Sequence, residues 1–206
     1  MKKIVGIYLA AGQSGRMGTD KLNLSTTRGP LGSLALRTVI QSGLTHTFIV
    51  TGNNHLPAWL TGYFFGNKRR GKWSHICCQN ADEGQANSIR EGILAAKLYD
   101  ADAAVIILAD QPLIPRSAID ALLLHFRSDP SCIVVTTNGE IISPPVLFPK
   151  AWFEPLLQLR GDQGAKQLIQ QESRIQRIPS SLDTTLFDVD NEQDYRKLVQ
   201  LLDSRA

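Results

Sequence analysis

The feature that most restricts the fold is a pair of short segments, IVGIYLA near the start and AAVIIL near the middle, that are apolar at almost every position. A half-exposed strand alternates apolar and polar residues. A run without that alternation is covered on both faces, as in a parallel sheet. Lys3 to Ala10 is therefore predicted as a buried strand, and AAVIILADQP as the most hydrophobic strand, ending at Asp110. Between them, Pro30 precedes LGSLALRTVIQSG, a helical pattern stopped by Gly43. HTFIVTG (His46 to Gly52) is predicted as a second strand, about His55 to Phe65 as a weaker helix, and SHICCQN as a third strand.

In EGQANSIREGILAAKLYD, Ala86, Ile89, Ile93 and Ala96 fall on one helical face. After Asp110 the pattern predicts a helix from roughly Arg116 to Phe126, the strand CIVVTT and the segment PPVLF. Two more helices follow, with a terminal one from Asn191 to Leu202. Strands that alternate with helices predict an α/β fold: a three-layer α/β/α sandwich around a mostly parallel sheet. Neither an internal repeat nor a linker interrupts the pattern, so residues 1–206 are read as a single domain.

Such sheets place ligand sites at the carboxyl ends of their strands. Two loops there carry chemistry. One is Asp110-Gln111-Pro112; the other is LAAGQSGRMGTDK, Leu9 to Lys21, which holds Gly12, Gly15 and Gly18 together with Arg16 and Lys21. Glycines let backbone N–H groups approach an anion, because no Cβ intervenes and positive φ is tolerated. The spacing excludes two familiar phosphate cradles. A Walker loop needs Gly-Lys-Ser/Thr four residues after its first glycine, and Met17 stands where that second glycine would be. The dinucleotide fingerprint needs Gly-x-Gly, and Gly12 is followed by Gln13 and Ser14. What remains is a longer loop whose amides hold a nucleotide while Arg16 and Lys21 neutralise phosphates, or else a plain strand-to-helix turn with surface cations.

Composition narrows the partners. The chain is 43% hydrophobic, and 22 basic residues against 19 acidic give only a mild positive balance. A dedicated nucleic-acid surface concentrates more charge than this. The sole charge cluster, GNKRRGKW (Gly66 to Trp73), is read as a solvated loop. Three cysteines, Cys77, Cys78 and Cys132, suggest neither a disulfide framework nor a zinc site, which favours a cytoplasmic location. The opening segment is too short for a membrane span and passes straight into the glycine loop, so no membrane partner is expected. The four histidines show no ligand spacing and are assigned no role. One of Cys77 and Cys78 is expected to face inward as a small hydrophobe.

LAAGQSGRMGTDK resembles the Leu-Ala-Ala-Gly-x-Ser-x-Arg-Met-Gly-x-x-Lys signature of the nucleotidyltransferases that activate molybdopterin. The closest resemblance is to molybdenum cofactor cytidylyltransferases and the related purine-catabolism proteins of bacilli. EGQANSI (Glu83 to Ile89), LADQP (Leu108 to Pro112), LRGDQGAKQLI (Leu159 to Ile169) and FDVDNEQDY (Phe187 to Tyr195) resemble further motifs of that family, in the family's order. The resemblance implies a Rossmann-like fold of the nucleotide-diphospho-sugar transferase type. It implies a Mg2+-dependent transfer of CMP from CTP to molybdopterin, with release of pyrophosphate, in maturation of a molybdenum hydroxylase such as xanthine dehydrogenase.

By the same resemblance, Leu9, Ala10, Ala11 and Gly12 line the base, and Arg16 and Lys21 bind the triphosphate. Asn80, Gln85 and Ser88 contact base or ribose, and Asp110 and Asp190 hold the metal, with Asp188 a secondary candidate. Arg16, Lys21 and Asp110 are the expected catalytic residues. Ala11-Gly12 in place of Gly-Gly favours cytosine. Gly161 to Gly164 is expected near the acceptor, either there or simply as a turn with an aspartate cap.

Two departures bear on the substrate. LNLSTTRGPL follows Lys21 in place of the family's Leu-Leu-x-Pro-Leu-x-Gly-x-Pro-Leu, and Ser143-Pro144 replaces Gly-His before Pro145. The second leaves open a different phosphorylated acceptor, such as a sugar or polyol phosphate. A further alternative is a non-catalytic chaperone that delivers molybdopterin to an apo-molybdoenzyme partner.

Overall fold

The computed structural model describes residues 2–12, 20–170, 172–180 and 187–204. In chain order its strands are β1 (Ile4–Leu9), β2 (Ser25–Thr26), β3 (Gly29–Pro30), β4 (His46–Thr51), β5 (Trp73–Cys77), β6 (Ala103–Leu108), β7 (Ile133–Asn138), β8 (Ile141–Pro149) and β9 (Ile175–Pro179). The helices are α1 (Leu31–Gln41), α2 (Gln85–Leu98), α3 (Arg116–Ser128), α4 (Phe153–Leu157), α5 (Lys166–Gln170) and α6 (Glu192–Asp203). Seven strands form one sheet in the order β5-β4-β1-β6-β8-β7-β9, and β2 and β3 form a small separate ribbon. Only β8 runs against the others in the large sheet.

The two apolar runs lie side by side at its centre as β1 and β6, in register from Ile4↔Ala103 to Leu9↔Leu108. Their alternation sorts side chains between two cores. Ile4 and Tyr8, with Ala103, Val105 and Ile107, face a core that α1, α3 and α6 complete. Val5, Ile7 and Leu9, with Ala104 and Ile106, face the other, completed by α2, α4 and α5. This is the expected three-layer sandwich. The predicted face of α2 is fully sunk: Ala86, Ile89, Ile93 and Ala96 are at most 1% exposed.

Several elements differ from the sequence reading, the β2–β3 ribbon among them. The helix expected near His55 to Phe65 is a run of turns ending in one 3-10 turn, Gly62–Phe65. Pro57 withholds a backbone donor and Gly62 weakens helix propagation. The segment is held instead by Trp59, which is buried against the face of Gly32, where a Cβ would lie 2.7 Å from the indole. Strand β9 was not expected, because its apolar residues Ile175 and Ile178 are set among Arg174, Gln176 and Arg177 on a partly exposed edge.

The third strand is shorter than SHICCQN and stops at Cys77; Cys78, just beyond it, is buried, as expected for one of the pair. In the basic loop, Arg69 stacks its guanidinium 3.8 Å over the Tyr63 ring. Among the described residues, no helix is long and apolar enough to cross a membrane.

Candidate active site

The central strands continue their pairing past their ends, and this builds the site. The amide of Ala10 donates to the carbonyl of Val50 at 2.8 Å, and that of Ala109 to Leu9 at 3.0 Å. Ala11, Gly12 and Asp110 therefore emerge together at the carboxyl edge of the sheet. Arg16 lies outside the described residues. The chain is next described at Asp20, whose carboxylate accepts from the amide of Leu22 at 3.1 Å and the side chain of Asn23 at 2.8 Å. That cap fixes a 3-10 turn beginning at Lys21.

The last piece comes from far along the chain. The amide of Val189 donates to the carbonyl of Asp110 at 2.9 Å, which docks the segment before α6 onto the end of β6. Asp190 follows, and its own amide donates to Asp194 Oδ2 at 3.0 Å within the capping box of α6. As a result the Lys21 ammonium stands among three oxygens. It donates to Asp110 Oδ2 at 3.0 Å, to Asp190 Oδ1 at 3.3 Å and to the Val189 carbonyl at 2.8 Å. The lysine side chain is 11% exposed, so these contacts are only partly screened by water.

Asp188 is close enough for its charge to act on Asp110, Asp190 and Lys21, but the three oxygens that Lys21 bonds here belong to Asp110, Val189 and Asp190. Its residue is exposed and its carboxyl lies beside Gln111; partial desolvation and the nearby Asp110 and Asp190 charges push it up from its ordinary range, and the Gln111 side chain and Lys21 oppose the shift.

Beside these charges lies a cleft of about 360 Å3. Leu9, Ala10, Ala11 and Gly12 form one wall, and Gln85 and Ser88 at the start of α2 form another. Lys21 and Asp110 also line it. Asn80 is not in the lining; its amide is engaged with Cys78 and Glu83, and Ala81 and Asp82 occupy the wall instead.

Gly84 and Asp162 are lining residues that sequence reasoning did not assign to this cleft. They belong together. Gly84 has φ +129°, and a Cβ there would lie 2.2 Å from the carbonyl carbon of Gly161. The Gly161 carbonyl in turn accepts from the amide of Ala86 at 3.0 Å. The Gly161 turn is thus pressed onto the N-terminus of α2, where backbone donors and the helix dipole favour an anion.

The donor set can be tested against a divalent ion on its own terms. Two carboxylates and a main-chain carbonyl already converge on one cation, the ammonium of Lys21. Hard oxygens that leave positions for phosphate and water are what Mg2+ takes. Among the described residues there is no cluster of three or more His, Cys, Asp or Glu arranged for a metal, so an ion here would depend on its nucleotide for further ligands.

A cleft at the switch edge of a mostly parallel sheet, lined by the β1 loop, Lys21 and Asp110, with Asp190 joined to it through Lys21, is the setting of a nucleotidyltransferase. The chain belongs to the MobA-like NTP transferase domain family, whose profile matches residues 6–176. It is 34% identical over 167 residues to purine catabolism protein PucB of Bacillus subtilis, covering 81% of this chain and 80% of that one. Among solved structures, the manganese complex of Rv0371c from Mycobacterium tuberculosis superposes with a TM-score of 0.76 at 21% identity, over 97% of this chain and 99% of that one. A CMP:2-keto-3-deoxy-manno-octonic acid synthetase complexed with CTP superposes over the whole of both chains, with a TM-score of 0.76 at 14% identity. At those identities the structures share the fold.

Proposed function

We propose that residues 1–206 form a single nucleotidyltransferase domain that transfers CMP from CTP to molybdopterin, in maturation of a molybdenum hydroxylase. The observation that carries this reading is the meeting of Lys21 with Asp110 and Asp190 beside the cleft that Lys21 and Asp110 line. In the reaction a phosphate oxygen of the acceptor attacks the α-phosphorus of CTP. The bond from that phosphorus to the bridging oxygen breaks, and pyrophosphate leaves with the electron pair. The acceptor is already an anion, so no strong base is needed. The barrier lies in bringing anions together and stabilising their charge.

The residues divide that work. The backbone from Leu9 to Gly12, with Gln85 and Ser88, holds base and ribose, and Ala11-Gly12 favours cytosine by resemblance to cytidine users. Lys21 and Arg16 neutralise the triphosphate. Asp110 and Asp190 would hold Mg2+, which when bound supplies positive charge to the phosphates. The manganese complex of Rv0371c and the CTP complex of the octonic acid synthetase are consistent with this assignment. The phosphorylated pterin acceptor rests on the family motifs and on the likeness to PucB.

The test is a thermal-shift panel of nucleoside triphosphates with and without Mg2+, followed by pyrophosphate release with molybdopterin. A selective ligand raises stability by mass action. CTP with Mg2+ should give the largest shift, and Asp110→Ala should remove its metal-dependent part. An equal shift with every nucleotide, insensitive to Mg2+ and to Asp110→Ala, would refute the proposal.

A further inference from the structure

The two pieces of chain whose charges meet beside the cleft touch at a second place. Lys21 opens the 3-10 turn that leads into β2, and Asp190 stands just before α6. Apart from the bridge between those side chains, the hydroxyl of Tyr195, in the first turn of α6, donates to the carbonyl of Ser25 in β2 at 2.5 Å. Near the other end of the helix, Arg28 Nη2, between β2 and β3, donates to the carbonyl of Leu202 at 3.4 Å. A cation there also suits the helix dipole. The β2–β3 ribbon thus grips α6 at both ends.

The ribbon can hold a helix because it is itself fixed. Thr26 Oγ1 donates to the Gly29 carbonyl at 2.7 Å and accepts from the amide of Arg28 at 3.2 Å, which closes the turn between β2 and β3. The amide of Leu31 donates to the Leu24 carbonyl at 2.9 Å and ties the base of the ribbon to the start of α1. The Tyr195 ring packs against the same core as Leu31. This ribbon is built from LNLSTTRGPL, the stretch after Lys21 where the chain departs from its family's pattern.

The bridge from Lys21 to Asp190 cannot align the two pieces throughout a reaction. On the reading above, the lysine leaves the carboxylate for a triphosphate, and the bridge is then broken. The bond from Tyr195 to Ser25 survives that step, because neither residue is among those that line the cleft. Displacing a reacting group by about 1 Å can cost on the order of a hundredfold in rate, even when the change lies far from the chemistry.

We infer that Tyr195 is a positioning residue for the transfer step: through Ser25 it holds the chain that carries Lys21 against the chain that carries Asp190 once nucleotide has parted their side chains. This role rests on the nucleotidyltransferase reading above and deepens it, since it gives a hydroxyl outside the cleft a part in the rate of transfer and none in the binding of nucleotide.

Tyr195→Phe removes the hydroxyl and keeps the ring. With CTP, Mg2+ and molybdopterin, its kcat for pyrophosphate release should fall at least fivefold while the KM for CTP stays within twofold. In a Lys21→Met background the same change should cost less than twofold, because no lysine is left to position. A second measurement needs no turnover. In Lys21→Met, where the bridge is gone, adding Tyr195→Phe should speed deuterium exchange at least threefold in residues 21–26 as well as in 189–195. Arg28→Met loosens the other grip and should speed exchange in the same two stretches, so a folding defect in one variant leaves the other to decide. Exchange that stays unchanged in residues 21–26 in both variants, or an equal loss of kcat with and without Lys21, would overturn the inference. Coupled exchange in a protein that releases no pyrophosphate with any nucleoside triphosphate would instead refute the nucleotidyltransferase reading.

Discussion

Lys21 and Asp110 lie 89 positions apart in the chain, yet the lysine Nζ is 3.0 Å from the aspartate Oδ2. The same ammonium also reaches Asp190 Oδ1 at 3.3 Å, so it occupies oxygens that a divalent ion held by the two carboxylates would use. On the proposed assignment, a metal and the lysine would compete for these oxygens until a triphosphate offered the lysine another anion.

That rivalry has a measurable consequence. In Lys21→Met the oxygens are left to the ion, so Mn2+ should bind at least fivefold more tightly in the absence of nucleotide, as read by paramagnetic resonance. Turnover with CTP should nevertheless fall by about a hundredfold or more, the usual scale for losing one group that stabilises developing charge. Unchanged Mn2+ affinity would mean that the lysine does not guard the site.

Asp194 holds Asp190 from behind, since its carboxylate accepts from the amides of both Asp190 and Asn191. Removing it in Asp194→Ala should cost about 1 kcal/mol in chemical denaturation, as for other helix caps. It should also weaken Mn2+ binding, which the loss of a remote cap would leave alone.

Gly84 is needed for its backbone. With φ +129° and the Gly161 carbonyl carbon 2.2 Å from a would-be Cβ, Gly84→Ala combines strain with a clash against main chain. A loss of about 1–3 kcal/mol is expected from the conformation alone. The turn should also lift from α2, raising the KM for nucleotide in steady-state assays more than it lowers kcat.

Burial lowers the pKa of His46, which stacks on Tyr99, and of His75, which bonds Thr51, below the ordinary value of 6.5. The folded state then holds fewer protons than the unfolded state, so their contribution is present above pH 6.5 and is lost as pH falls below it. The Tm should decline from pH 7 to pH 5, with a shallower slope in His46→Phe. An identical slope in that variant would remove His46 from the account.

What could be read from the chain followed from local signals. IVGIYLA and AAVIIL announce doubly covered strands because no polar residue interrupts them, and the spacing of Ala86, Ile89, Ile93 and Ala96 gives the buried face of α2. Lys21, Asp110 and Asp190 were found through motifs, and the fold then put them in contact. The rest is long-range. Nothing near Val189 signals that its amide will meet the carbonyl of Asp110, and nothing near Gly84 signals Gly161. Strand β9 was missed because one exposed face makes its sequence as polar as a loop.

The docking of Val189 onto Asp110 also sets when the protein becomes competent during its synthesis. Among the described residues the last strand ends at Pro179, so a ribosome could release a polypeptide with every described strand of the sheet and still half of its acidic pair missing. Such a truncated product would look native to most probes of secondary structure. Chemistry would be the assay that tells it from the finished molecule.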